Sequence, residues 1–511
     1  MTTCSNYFAR HRIALGLVGL VVASVSGACA ASLDFSECSE HADCARFGSE
    51  ELLRCENSLC VPAQCEDKKN SSCADLGGSH VCGLLGDCVD ALTVEGCEFL
   101  VLPGDKVTDD LTLIGAIYDQ TSPVGLLAME AFALAIDDFN AATTLGNGNR
   151  VGLIACDNQG DITAARDAAV HLAESVGVPA LLGPIADDTF INIAKNVSAK
   201  MGNLVFTMTP TATAPYTFSD SGVVWRTIPG AEYQGAAIRT RIEDAGYSSA
   251  LMVFREDNYG LGIYQALTEE LDGTRVIPGV QTQSLLSYGV GEDGVSELGK
   301  LLDGNMSPDV VVLLGGDEVG AQIKLLAERS VAPKRILTSH AGLRGVQSAV
   351  IEIGDETFTN PIEMIGPLSA DPANVQILYS RLLERNANLV LGTEAPLAYD
   401  AAMTTLLAMR ATDPSKKISG PYISQQMGRL ISGAEISFGD SAFIEAAVDE
   451  LNLGNSIDLV GTSGDLNFVI ERAEPCSPFI AWGFPNIAAP APVANATFTF
   501  DCPGTTGSWA P

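Results

Sequence analysis

Positive charge is scarce in this chain. Only 29 Lys and Arg stand against 63 Asp and Glu, a formal net charge of −34 over 511 residues. Nucleic acids and anionic membrane surfaces are recognised by clustered cations, so neither is expected as a partner. Histidine is rarer still. The five residues at positions 11, 41, 80, 171 and 340 have no metal-ligand spacing, and no metal or cofactor is expected. Neither a G-x-S-x-G elbow nor a phosphate-cradling P-loop occurs. Gly439-Asp440-Ser441 has the look of an esterase block, but it lacks the strand-turn context such chemistry needs, so an enzyme is not expected. Beyond the N-terminus no apolar run is long enough to cross a bilayer. With 47% hydrophobic and 18% charged residues, the chain has ample material for a core, which excludes global disorder. Its length suits two or three compact units.

The first 30 residues read as an export signal. Arg10, His11 and Arg12 form a basic segment, the apolar stretch Ile13 to Val25 follows, and small residues close it. Two processing readings stay open. Ala28-Cys29-Ala30 fits ordinary cleavage, whereas Gly27-Ala28-Cys29 is similar to the end of a lipobox, which would lipidate Cys29. An anchor of that kind would be the one membrane attachment.

Fourteen cysteines are spread unevenly, nine of them between Cys38 and Cys97. Cys38, Cys44, Cys55 and Cys60 precede Val61, and Cys65, Cys73, Cys82 and Cys88 precede Val89, so residues 31–96 read as a neck of two repeats. In an exported chain this is a disulfide framework, because a segment so short cannot stabilise itself by apolar burial. Zinc is the rival reading, although tight C-x2-C pairs are absent. Four cysteines allow three pairings, and the spacing does not choose among them. Cys97, Cys156, Cys476 and Cys502 belong to the larger region, with Cys476 to Cys502 the more local pair.

From Leu111 onward, short β-rich runs alternate with amphipathic helical stretches. Leu111–Tyr118, Arg150–Cys156, Ala180–Gly183 and Leu204–Met208 read as one set of strands. Ala250–Phe254, Arg275–Gln281, Asp309–Leu314 and Arg335–Thr338 read as a second. Such alternation predicts two doubly wound parallel sheets covered by helices. Ligands bind beyond the carboxyl ends of such strands. That places a cleft at Asp119–Ser122, Asp157–Gln159, Asp187–Thr189, Thr207–Thr213, Glu256–Tyr259, Gly315–Glu318 and Ser339–His340.

The order of motifs resembles the leucine/isoleucine/valine-binding family of type I periplasmic binding proteins over roughly Leu111 to Phe468. The resemblance rests on Asp137-Asp138-Phe139-Asn140, Leu181-Leu182-Gly183-Pro184, Thr209-Pro210-Thr211-Ala212-Thr213, Trp225-Arg226-Thr227-Ile228-Pro229, Asn258-Tyr259-Gly260, Tyr399-Asp400-Ala401 and Gly461-Thr462-Ser463-Gly464. It implies an α/β protein of two parallel-sheet lobes joined by a three-stranded hinge. Lobe 1 would take 97–228 and 368–458, lobe 2 would take 229–367 and 459–475, and 476–511 would form a tail. It also implies ligand contacts at Asp187, Thr189, Thr209, Thr211, Ala212, Thr213, Tyr259, Asp317 and His340. Asp187 falls at or near a position where relatives place a Ser, and there it could instead cap a helix. Asp317 could accept from an amine or cap the helix that follows, and Tyr259 could cover a ligand or pack on its own helix. The acid that holds a ligand amine in relatives is replaced in this region by His340 or Ala341. The expected function is capture of a small polar, amino-acid-like solute for an ABC permease or another envelope protein. A surface sensor or protein-interaction protein using the neck is the alternative, and a secreted hydrolase a distant third.

Overall fold

The computed structural model describes residues 37–47, 52–207, 222–304, 306–367, 372–439, 442–486 and 491–511. The chain forms two units, Met1–Val61 and Pro62–Pro511. In the first, the 3-10 helix His41–Phe47 precedes a hairpin of Leu53–Glu56 and Leu59–Pro62. Asn57 and Ser58 make its turn with φ of 51° and 66°, the left-handed conformation that two-residue hairpins use. Disulfides Cys38–Cys55 and Cys44–Cys60 close it.

The second cysteine repeat has the same plan and the same pairing, Cys65–Cys82 and Cys73–Cys88. Sequence reading placed both repeats in one neck, but this one belongs to the larger unit. Its Val81 and Ala91 are buried with Leu111, Leu172 and Val176. Asn70 donates to the Thr108 carbonyl at 2.9 Å, and the Ser71 hydroxyl donates to Asp109 at 2.8 Å. Apolar burial and hydrogen bonds therefore seat it on the first lobe.

That lobe is built on β1 (Cys97–Val101), β2 (Leu111–Tyr118), β3 (Arg150–Asp157), β4 (Ala180–Leu182), β5 (Leu204–Thr207) and β6 (Val224–Arg226), in spatial order β6-β5-β4-β2-β3-β1. All neighbours are parallel except β1, which runs antiparallel to β3. Cys97 lies directly opposite Cys156 in that pair, and the two are joined. Helices α1 (Pro123–Ala142), α2 (Ile162–Val170) and α3 (Asp187–Ile193) alternate with the strands. Asp161 caps α2 by accepting from Thr163 N and Ala164 N.

The second lobe begins with α4 (Ala231–Asp244), then β7 (Ser249–Arg255), α5 (Asn258–Leu267), β8 (Gln281–Tyr288), α6 (Val295–Leu302), β9 (Val310–Leu314), α7 (Val319–Glu328), β10 (Arg335–Ser339), α8 (Leu343–Ile353) and β11 (Ile362–Gly366). The chain then returns to the first lobe through α9 (Pro372–Arg385), α10 (Glu394–Arg410), β12 (Ala434–Ser437), α11 (Ala442–Asn452) and β13 (Ile457–Gly461). Leu459, Leu466 and Phe468 are buried in the first lobe's core, so the segment after 458 stays there rather than joining lobe 2. The expected tail is not separate either. Strands β14 (Phe479–Gly483), β15 (Val493–Phe500) and β16 (Gly507–Ala510) extend the second sheet to β8-β7-β9-β10-β11-β14-β15-β16. They are antiparallel additions, pinned by Cys476–Cys502. The strand expected at Arg275–Gln281 is also displaced, because the sheet uses Gln281–Tyr288. That edge strand alternates exposed and half-buried residues and carries little apolar signal.

Several sequence motifs turn out to hold one another. The Tyr399 hydroxyl and the Arg381 guanidinium both bond the Asp138 carboxylate. Asp400, fully buried, accepts from Thr462 N (2.9 Å), Thr462 Oγ1 (2.8 Å), Ser463 N (2.7 Å) and Ser463 Oγ (2.6 Å). A Cβ at position 461 would collide with that carboxylate, which explains Gly461.

Where the chain passes between lobes, Arg226 at the end of β6 pairs with Glu474 at 2.9 Å, with side-chain exposures of 3% and 0%. Glu474 also accepts from Gly230 N at 2.7 Å and from Arg472 Nε at 2.6 Å, and Arg472 also pairs with Glu232. Removing one charge of a buried pair strands the other in low dielectric. Glu474→Gln is expected to destabilise the protein by about 3–5 kcal/mol, read as a lowered urea midpoint. An unchanged midpoint would show that this pair does not hold the crossing.

Candidate functional site

A cavity of about 450 Å3 opens between the two lobes. Its wall is made where the parallel strands end, as the geometry of open α/β sheets requires. From the first lobe come Tyr118 and Asp119 after β2, Asn158 after β3, and Pro184 to Thr189 between β4 and α3. From the second come Arg255, Asp257 and Tyr259 after β7, Gly316 to Glu318 after β9, and His340 and Ala341 after β10. Arg344 at the start of α8, and Thr393, Glu394 and Leu397 at the start of α10, complete it. Two glycines allow the close approach of these loops. Gly183 has φ of 76°, and a Cβ there would lie 2.6 Å from the Ile117 carbonyl oxygen. A Cβ on Gly260 would lie 2.5 Å from the Arg255 carbonyl oxygen, which explains the Tyr259-Gly260 element.

Of the residues expected to contact ligand, Asp187, Thr189, Tyr259, Asp317 and His340 line this cavity. Thr209, Thr211, Ala212 and Thr213 lie outside the described residues, as do Cys29 and Asp440-Ser441. Asp157, Gln159 and Glu256 are not part of the wall. Asp157 accepts from Gln120 N and Gln159 N, and Glu256 is taken by Ser287. Asp187 is the first residue of α3 and does not act as its cap, since Ala186 holds that position. Asp317 caps neither α7 nor its own loop. Its carboxylate accepts from Arg344 Nε at 3.0 Å and from Gly345 N at 3.1 Å. Tyr259 does two things at once: its ring meets His340 edge to face at 6.0 Å, and its hydroxyl accepts from Ala341 N at 3.4 Å.

The two guanidiniums organise the acidic residues around them. Arg255 donates to Asp257 at 2.6 Å and to Glu318 at 2.9 Å, and Glu318 also accepts from the Tyr288 hydroxyl at 2.8 Å. Arg344 stands between Asp317 of its own lobe and Glu394 of the other, at 3.0 Å and 3.4 Å. Burial pushes the Glu394 carboxyl up, and Arg344 opposes that rise. Asn258 and Asp188 make a second bond from lobe to lobe. Arg255 ends β7, one residue before the expected cleft stretch Glu256–Tyr259. Arg344 could be seen only as one helical turn beyond His340. Glu394 comes from a distant helix, and only the tertiary fold brings it here.

His340 is 6% exposed, and burial lowers its imidazole from 6.5 to about 4. Its tautomer follows from its neighbours. Gln234 Nε2 donates to the Ile365 carbonyl at 2.8 Å, which fixes the amide orientation, and the same nitrogen lies 3.3 Å from His340 Nδ1. An NH2 group can only donate. Nδ1 must therefore accept, and the proton sits on Nε2.

Residues 127–323 match the family model described as receptor family ligand binding region. No curated protein sequence matches the chain. Among solved structures, the chain is similar to the leucine binding protein LivK of Thermotoga maritima, at 18% identity and TM-score 0.57, over 76% of this chain and 99% of that one. It is also similar to the LivJ branched-chain amino acid substrate binding protein of Streptococcus pneumoniae, solved with isoleucine, at 16% identity and TM-score 0.58, over 75% and 99%. A solute binding protein from R. palustris, solved with 4-hydroxybenzoate, aligns at 12% identity and TM-score 0.60, over 76% and 97%. The fold is that of type I periplasmic binding proteins, as the sequence motifs indicated.

Because the unfolded imidazole takes up a proton near pH 6.5 and the folded one only near 4, the unfolded state binds more protons in that window. His340 therefore adds stability that is full above 6.5 and is lost as pH falls through 4. Between pH 7 and pH 4.5 the loss is on the order of 2 kcal/mol. His340→Gln should flatten stability over this range in urea titrations. An equally steep pH dependence in the variant would place the acid sensitivity elsewhere.

Proposed function

We propose that this chain is an exported solute-binding protein that captures a small polar, amino-acid-like ligand between its lobes and presents it to an ABC permease. The cavity carries the reading: two lobes turn the polar ends of their parallel strands toward one space, and few residues link them across it. In such an arrangement ligand contacts made only when the lobes close shift the population toward the closed form. Asp187, Thr189, Thr209, Thr211, Ala212, Thr213, Tyr259, Asp317 and His340 are the proposed ligand contacts. We read the protein as a binder rather than an enzyme.

Export rests on the N-terminal pattern, and no described helix is long and apolar enough to cross a membrane. Mass spectrometry of the mature protein distinguishes its two forms, an acylated Cys29 or a chain cut after Ala30. The alternative, a surface sensor or interaction protein, draws on the disulfide-closed repeats, which a plain capture protein does not need.

Differential scanning fluorimetry against amino acids, aromatic acids and amines tests the capture reading. A ligand held by the native state alone at 100-fold its Kd should add about 2.7 kcal/mol of stability. Small-angle scattering should then show a smaller radius of gyration. A folded sample that responds to none of these compounds by either measurement would overturn it.

A further inference from the structure

The capture reading leaves the ligand's chemistry open, and the charge of the cavity narrows it. Among the described residues, seven carboxylates line the space, from Asp119, Asp187, Asp188, Asp257, Asp317, Glu318 and Glu394, against the two guanidiniums of Arg255 and Arg344. With His340 neutral, the formal lining charge is two minus seven, or −5. Neither arginine is available to a ligand anion, since each already lies between two carboxylates. A free carboxylate entering the cavity would meet excess negative charge in a site of reduced dielectric, where such repulsion is strong.

Two buried groups call for something more than charge. The Thr189 side chain is 3% exposed on the cavity wall, and its hydroxyl has no hydrogen-bond partner among the described residues. His340 is 6% exposed on the same wall. Its Nδ1 is occupied by Gln234, while Nε2 on the opposite edge of the ring has no partner among the described residues. Neither atom is sealed from the cavity, so each can bond water there or a ligand group that displaces it. Nε2 can only donate, so that partner must present an acceptor. Val124, Ile185, Val290 and Leu397 supply apolar surface between the polar groups.

We infer that the cleft selects a small organic cation, an ammonium or guanidinium compound with a neutral hydrogen-bond acceptor such as an amide carbonyl or hydroxyl, and discriminates against the free α-carboxylate. The acidic lining holds the cation, Thr189 and His340 Nε2–H hold the acceptor, and the apolar residues cover the aliphatic body. This rests on the capture reading and specifies its ligand.

Matched pairs make the test. Isothermal titration calorimetry of the full mature chain would compare L-leucinamide with L-leucine and L-argininamide with L-arginine, with putrescine and 4-hydroxybenzoate alongside. Each amide should bind at least 10-fold more tightly than its acid, with the gap narrowing as salt is raised from 20 to 500 mM. Asp119→Asn with Asp188→Asn should weaken the amides about 10-fold while leaving circular dichroism unchanged. His340→Leu should weaken the amides more than it weakens putrescine, which has no acceptor. If leucine, arginine or 4-hydroxybenzoate binds as well as the cations, the capture reading stands and the cation inference is overturned. If nothing binds, both fall.

Discussion

One buried ion pair joins two of the crossings between the lobes. Arg226 closes the last strand of the first sheet, and Glu474 lies on the segment that returns after the chain's second visit to that lobe. Both are out of water, so neither charge is tolerable without the other. Glu474 also accepts from Gly230 at the entrance to α4, which joins the outgoing crossing to the returning one. Arg472 extends the network to Glu232 in the first turn of α4. A rearrangement that separated these groups would cost several kcal/mol.

The first lobe is tied together by a similar use of polar groups inside an apolar core. Asp138 on α1 reaches α9 through Arg381 and α10 through Tyr399. Asp400 on the same α10 fastens the turn at Thr462 and Ser463. These acids occur in the very motifs by which the chain resembles binding proteins, yet they face away from the cleft. The motifs signal the fold because they solve its packing, and for that reason they say little about what it binds.

This separation explains what could be read in the sequence. Alternating apolar runs and helices exposed the parallel sheets, since a strand buried on both faces must be nearly continuous in Val, Ile and Leu, as β9 is. The strand-end rule then located most of the cavity, because Asp119, Asn158, Asp187, Tyr259, Asp317 and His340 lie at strand ends or in the first turn of the helix that follows. Strands at or beyond the sheet's rim were harder. β8 is polar on its exposed face, and β14 to β16 lie after the motif-bearing region, so nothing local announced that they extend the second sheet. Arg344 and Glu394 lay beyond reach for another reason. Their roles depend on one another and on Asp317, and residues 50 positions apart in sequence meet only in the tertiary fold.

The same pairing bears on how the cleft responds. Arg344 to Glu394 and Asn258 to Asp188 are lobe-to-lobe bonds at the site, and partly exposed pairs of this kind are worth about 0–1 kcal/mol. The cavity also sets Asp119, Asp187, Asp188 and Glu394 of one lobe across from Asp257, Asp317 and Glu318 of the other. At an effective dielectric near 20, two like charges about 8 Å apart repel by about 2 kcal/mol. Even after the two arginines are counted, the acids outnumber the cations that could offset them, so the facing walls repel one another. A cation in the cavity reverses the sign of that balance, because every wall then gains from approaching it. The scarcity of positive charge along the whole chain thus has a local counterpart in the cleft, where acids outnumber cations.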